Sequence, residues 1–129
     1  MIKANHIIDN LRKDTMYQSC IGIRNIHFPG DGTPKGGFEV DFLKITKAEY
    51  LVDYEVKISK SDFLADFRKS KHVYIKECLW RYYPINRLFF VCLPDVIKPK
   101  DLPGYCGLIY YRKQIGITLD IIVPRSEEH

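Results

Sequence analysis

Residues 38–66 read FEVDFLKITKAEYLVDYEVKISKSDFLAD, and this stretch decides the fold. Phe38, Val40 and Phe42 alternate with Glu39, Asp41 and Leu43, the period of a strand whose second face is largely polar. Tyr50, Val52, Tyr54, Val56 and Ile58 alternate with Leu51, Asp53, Glu55 and Lys57 in a longer strand of the same character. The short link 46–49 predicts an antiparallel hairpin, in which Asp41 lies opposite or diagonal to Glu55. Ser59-Lys60-Ser61-Asp62 then predicts a capping box, with Ser59 capping and Asp62 reaching back, at the start of a helix. Phe63, Leu64, Phe67, Tyr74 and Cys78 give that helix a buried stripe, with an end or kink at Ser70 and Lys71.

Upstream, Ala4, Ile7, Ile8 and Leu11 fall at i, i+3, i+4 and i+7, an amphipathic helix with His6 and Asp9 on its polar face. Residues 17–28 predict a strand. PGDGTPKGG, residues 29–37, predicts a mobile connection able to touch a ligand, without the G-x-x-x-x-G-K-[ST] spacing of a nucleotide cradle. Downstream, KSKHVYIKECLWRYYPINR interleaves basic and aromatic residues. That pattern suits nucleic-acid backbone and base contacts, and equally an amphipathic segment with its aromatics in the core.

Residues 88–93 are wholly apolar, as a central strand covered on both faces would be. A proline-marked connection, two further strands over 107–111 and 115–123, and a polar, frayed SEEH end complete the chain. The order predicts an α/β fold in one domain spanning 1–129, a mixed sheet flanked by at least two helices.

Composition narrows the class. An apolar fraction of 46%, with nine tyrosines and seven phenylalanines in 129 residues, excludes a disordered chain. The net charge of +4 is compatible with a phosphate-rich partner without requiring one. The N-terminus lacks the apolar core of a signal peptide, and no apolar run is long enough for a bilayer, so a soluble, cytoplasmic protein is expected. Cys20, Cys78, Cys92 and Cys106 form no C-x-x-C pair and mostly sit in apolar runs, which predicts buried free thiols.

No G-x-S-x-G elbow is present, and the four histidines show no metal-ligand spacing. Carboxylates remain, and oxygen ligands select hard ions such as Mg²⁺ or Mn²⁺. Asp41 and Glu55 on neighbouring strands can hold such an ion, the Val56 carbonyl can add an oxygen, and Lys57 projects from the Glu55 face. There Lys57 can orient a water or stabilise developing negative charge. On spacing alone, a polar sheet face with cross-strand ion pairs is the simpler reading.

The order helix, strand, Asp-bearing strand, E-V-K strand, helix resembles the core of the PD-(D/E)XK nuclease superfamily, the restriction-endonuclease-like fold. More narrowly, GGFEVDFL, YEVKISKSDFLADFRKSKH and LFFVCLPDVIKPKDLPGYCGLIYY, in that order, resemble the MmcB-like DNA-repair proteins of bacteria and their phage relatives. The resemblance covers residues 36–111. It implies a Mg²⁺- or Mn²⁺-dependent DNA nuclease in which Asp41 and Glu55 bind metal and Lys57 is the catalytic lysine. Val40 stands where the superfamily motif has a proline, and Asp9 is the nearest candidate for a first-helix acid, though its helical phase turns it away. Lys60, Arg68, Lys69 and Lys71 are expected to contact DNA phosphates. Ser59, Asp62 and Asp66 mark the narrower family, Asp66 with no expected role beyond a solvated helix face. The alternatives are a catalytically silent DNA-binding or recruiting module of the same fold and a protein-interaction domain. Many nucleases of this fold dimerise to cut both strands, but no dimer seam is legible in the sequence. Repair or phage proteins are the expected partners beside DNA.

Overall fold

A computed structural model of the chain describes residues 2–114 and 116–124. Helix α1 (Ala4–Tyr17) is followed by β1 (Ile21–Phe28), β2 (Phe38–Ile45) and β3 (Leu51–Val56). Two short helices come next, α2 (Lys60–Asp66) and α3 (Ser70–Lys76). Strand β4 (Arg87–Cys92), a 3-10 turn (Pro99–Asp101), β5 (Cys106–Gln114) and β6 (Gly116–Val123) complete the order. The six strands form one mixed sheet in sequence order. β1–β2, β2–β3 and β5–β6 pair antiparallel, whereas β3–β4 and β4–β5 pair parallel. The expected mixed sheet flanked by helices is present. Ile115, where the last strand was expected to start, and the SEEH end lie outside the described residues.

Alternation splits the core into two layers. On one side α1 buries Ile7, Ile8 and Leu11 against Val52, Tyr54, Val56, Phe89, Val91 and Ile109. On the other, Phe63, Tyr74 and Ile75 from α2 and α3 cover Leu88, Phe90, Cys92, Cys106 and Leu108. β4 feeds both layers, which is why 88–93 carries no polar residue. Asp53 and Glu55 alternate with Val52, Tyr54 and Val56 and so face the α2–α3 layer.

Two sequence expectations need correction. The regular alternation expected for β2 is broken: Phe38 and Val40 pack in the α2–α3 layer, but Phe42 packs beneath α1. The break sits at Asp41, across from Asn25 of β1, which takes the left-handed conformation (φ 53°). The break expected near Ser70 and Lys71 is present, as α2 ends at Asp66 and α3 starts at Ser70, but two residues of the expected buried stripe are not buried: Leu64 is 56% exposed and Cys78 is exposed. Ser59 does cap α2, its hydroxyl accepting from the Asp62 N–H at 3.2 Å. Of the four thiols, all free, Cys92 and Cys106 are buried, Cys20 is half-buried and Cys78 is exposed. Among the described residues no helix is long and apolar enough to cross a membrane.

The glycine-rich loop is tied down at its far end. The Ser70 hydroxyl donates to the Gly37 carbonyl, and the Tyr74 hydroxyl to the Gly36 carbonyl at 2.5 Å. Gly30 and Gly37 form the neck of the loop, where a Cβ on either would collide with the other's backbone. The end of the loop is thereby held against α3, and Gly37 joins Asp41 in lining one cleft.

Candidate metal and DNA site

The site forms where β2 and β3 part. Their backbone pairing runs from Ile45 opposite Leu51 to Phe42 opposite Tyr54 and stops there. Beyond that point side chains take over the rungs. Asp41 Oδ2 accepts the Val56 N–H at 2.8 Å, and Glu55 Oε2 accepts the Asp41 N–H at 3.2 Å. The expected approach of Asp41 to Glu55 is therefore present. A strand residue's N–H and C=O point the same way, so the Val56 carbonyl also faces the β2 side.

Beneath Glu55 lies a charged network that sequence reasoning missed. Lys71 of α3 is 1% exposed and places Nζ 2.9 Å from Asp53 Oδ2 and 3.1 Å from Glu55 Oε2. The Tyr83 hydroxyl donates to the same Asp53 oxygen at 3.0 Å. Lys71 was expected among the phosphate contacts; it is instead an internal cation with no surface to offer DNA. The reason is the break between α2 and α3, which turns Lys71 toward the sheet together with Tyr74 and Ile75. Those positions are i, i+3 and i+4 of one buried helical face.

Lys57 is also committed inside the protein. Its Nζ donates to Asp66 Oδ1 at 2.7 Å, and its side chain is 8% exposed. Lys57 remains close enough to Asp41 to lower that residue's proton affinity. Asp66, expected on a solvated face, is fully buried. The remaining expected phosphate contacts, Lys60, Arg68 and Lys69, are exposed, with Lys60 paired to Asp101 at 2.9 Å. Asp9 is held by Arg24 at 2.6 Å, on the α1 side of the sheet and away from the acids.

Asp41, Glu55, Gly37, Phe38, Lys69 and Ser70 line a cleft of about 280 Å³. Acids outnumber bases at its floor. Burial first, and the Glu55 charge second, push the Asp41 carboxyl from its ordinary 3.8 up to about 6. Burial and the adjacent Asp53 carboxylate raise Glu55 as well. A hard divalent cation relieves both causes, and Mg²⁺ is commonly held by only one or two carboxylates with waters completing its shell. Asp41 and Glu55 supply such a pair. Among the described residues no group of three His, Cys, Asp or Glu side chains is placed to hold a metal.

A pH dependence follows. A carboxyl whose folded pKa is raised contributes stability that is present below pH 4 and lost as pH rises through about 6. His72, whose pKa is lowered chiefly by burial, acts in the opposite sense, losing stability as pH falls below its ordinary 6.5. The Asp41 share is thus read as a difference between proteins. In chelator, Asp41→Asn should gain on the wild type by up to about 3 kcal/mol between pH 4 and pH 7.5 in chemical denaturation. Parallel stability curves would show that Asp41 ionises without cost.

Comparison with known proteins gives one structural likeness. A solved protein of unknown function from Silicibacter pomeroyi superposes with a TM-score of 0.60 at 18% identity, over 99% of this chain and 75% of that one. At that identity the likeness concerns the fold alone. No protein-family model and no curated protein matches the chain.

Proposed function

We propose that the protein is a metal-dependent DNA nuclease built on a restriction-endonuclease-like core of the PD-(D/E)XK type. The observation that carries this reading is the meeting of Asp41 and Glu55 at the parting of β2 and β3, on the floor of a cleft whose wall bears Lys69. A buried and a half-buried carboxylate, both of raised pKa, are costly to ionise side by side, and functional sites are where such cost is tolerated.

In this reading Asp41, Glu55 and the Val56 carbonyl hold Mg²⁺ or Mn²⁺, which supplies Lewis acidity toward the phosphodiester and a more acidic water. Asp41 keeps its orientation through the Val56 N–H, and Glu55 through Lys71 and the Asp41 N–H. The Lys57 ammonium contributes positive potential to the acids, and it acts on a reacting group only by leaving Asp66. Lys60, Arg68 and Lys69 are the exposed bases for phosphate contacts, which position DNA without reading its sequence. A part in DNA repair or phage DNA metabolism follows from the resemblance to MmcB-like proteins.

One observation favours a second reading, a DNA-binding module with the same fold and no catalysis. Lys57 and Lys71, buried lysines at the site, are engaged, Lys57 with Asp66 and Lys71 with Asp53 and Glu55. The purified protein should cut duplex, nicked, branched or single-stranded DNA when given Mn²⁺ or Mg²⁺. Absence of both metal binding and cleavage would end the enzymatic reading. Salt-sensitive DNA binding that ignores Glu55→Gln would establish the second.

A further inference from the structure

Three side-chain donors converge on Asp66 inside the protein. Its Oδ1 receives Lys57 Nζ at 2.7 Å and Lys69 Nζ at 3.0 Å, and its Oδ2 lies 2.5 Å from His72 Nε2. The His72 ring is fully buried and packs against Phe67 and Phe90. Its Nδ1 lies 2.9 Å from the Tyr105 hydroxyl. An apolar setting disfavours the imidazolium, so the partners select a neutral ring that gives Nε2–H to Asp66 and accepts from Tyr105 at Nδ1. Asp66 is therefore reached from just past β3 by Lys57, from the α2–α3 link by Lys69 and from α3 by His72, which Tyr105 of the loop before β5 braces in turn.

The three donors differ in what else they can touch. Lys57 and His72 are buried, but the Lys69 side chain is 57% exposed and lines the cleft beside Asp41 and Glu55. An ordinary surface ion pair holds a lysine poorly, because two mobile side chains must be ordered in water. Here the acceptor is already immobile, so only Lys69 has to be ordered. Its ammonium has three hydrogens, of which Asp66 takes one.

We propose that Asp66 is a positioning residue that aims the Lys69 ammonium into the cleft to contact a phosphate of the DNA backbone. Lys57, His72 and, through His72, Tyr105 lock Asp66 from behind. The inference rests on the reading of the cleft as a DNA site, though not on catalysis.

A test by sign separates positioning from simple charge balance. Asp66→Asn makes the cleft more positive by one charge. If Asp66 were only a counter-charge, DNA would bind more tightly to that variant. Positioning predicts that a labelled oligonucleotide duplex, followed by fluorescence anisotropy in EDTA, binds roughly fivefold more weakly despite the added charge, with the slope of log K against log salt lowered by about one. Lys69→Met, which removes the proposed contact, should give the same loss. Where Asp66→Asn alone does not fold, Asp66→Asn with Lys57→Met removes one anion and one cation and should still fall to the Lys69→Met level. Binding by Asp66→Asn, or by the double variant, that is tighter than wild type or within twofold of it overturns the proposal. So does a wild type that retains no duplex at low salt. Because EDTA prevents metal-dependent cutting, a wild type that binds DNA but never cuts it refutes the nuclease and leaves this result standing.

Discussion

Asp41→Asn is expected to yield a folded protein whose Mn²⁺-dependent DNA cleavage has fallen at least about a hundredfold. Changes to the partners of metal ligands alone commonly cost ten- to a hundredfold, so loss of a ligand should cost no less. The fold should survive because asparagine keeps an oxygen for the Val56 N–H, the backbone donor bonded to Asp41. It should in fact be more stable at neutral pH, since a carboxyl held near pKa 6 is being ionised against its surroundings. The conjunction is the informative result, because activity lost together with stability would say only that the site had come apart. Glu55→Gln should behave alike in activity but less cleanly in stability. Glu55 also receives Lys71, and a neutral amide leaves that cation with Asp53 alone.

The second large effect is on stability. Lys71→Met removes the cation bonded to Asp53 and Glu55 and leaves two buried carboxylates facing each other. Breaking a buried ion pair from one side typically costs about 3–5 kcal/mol, a large share of what a small domain has. Thermal and urea unfolding should show it directly. Combining Lys71→Met with Asp53→Asn removes one of the two orphaned charges, and Tyr83 can still donate to the asparagine oxygen. The Glu55 carboxyl, pushed up to about 8 chiefly by burial, can stay protonated. The double variant should recover most of the loss, because a buried pair replaced on both sides is often nearly neutral. A single variant as stable as the wild type would mean that Lys71 is not the counter-charge of this network.

Much of the fold was legible because it rests on local periodicity. The alternation in 50–58, the apolar run of 88–93 and Ser59 before an apolar stripe each have one natural reading, and each appears in the structure. The meeting of Asp41 and Glu55 was legible too, since a link as short as the five residues 46–50 leaves a hairpin little choice of register. The face change at Asp41 was not, because it depends on Asn25 of the neighbouring strand adopting a left-handed conformation. Nor was the network of Asp53, Asp66, Lys71 and His72. Charged residues are assigned to solvent by default, and only partners distant in sequence offset the cost of burying them. One local signal did exist. Restarting the helix at Ser70 places Lys71, Tyr74 and Ile75 on one stripe, which marks Lys71 as internal.

The central claim is that Asp41 and Glu55 form a divalent-metal centre, and diffraction from crystals soaked in Mn²⁺ tests it most directly. The account predicts an anomalous peak between the two carboxylates, within roughly 2.0–2.3 Å of an oxygen of each, and its loss in Asp41→Asn. A well-ordered site with no peak there, Glu55 still bonded to Lys71 and Asp41 still on the Val56 N–H, would contradict it.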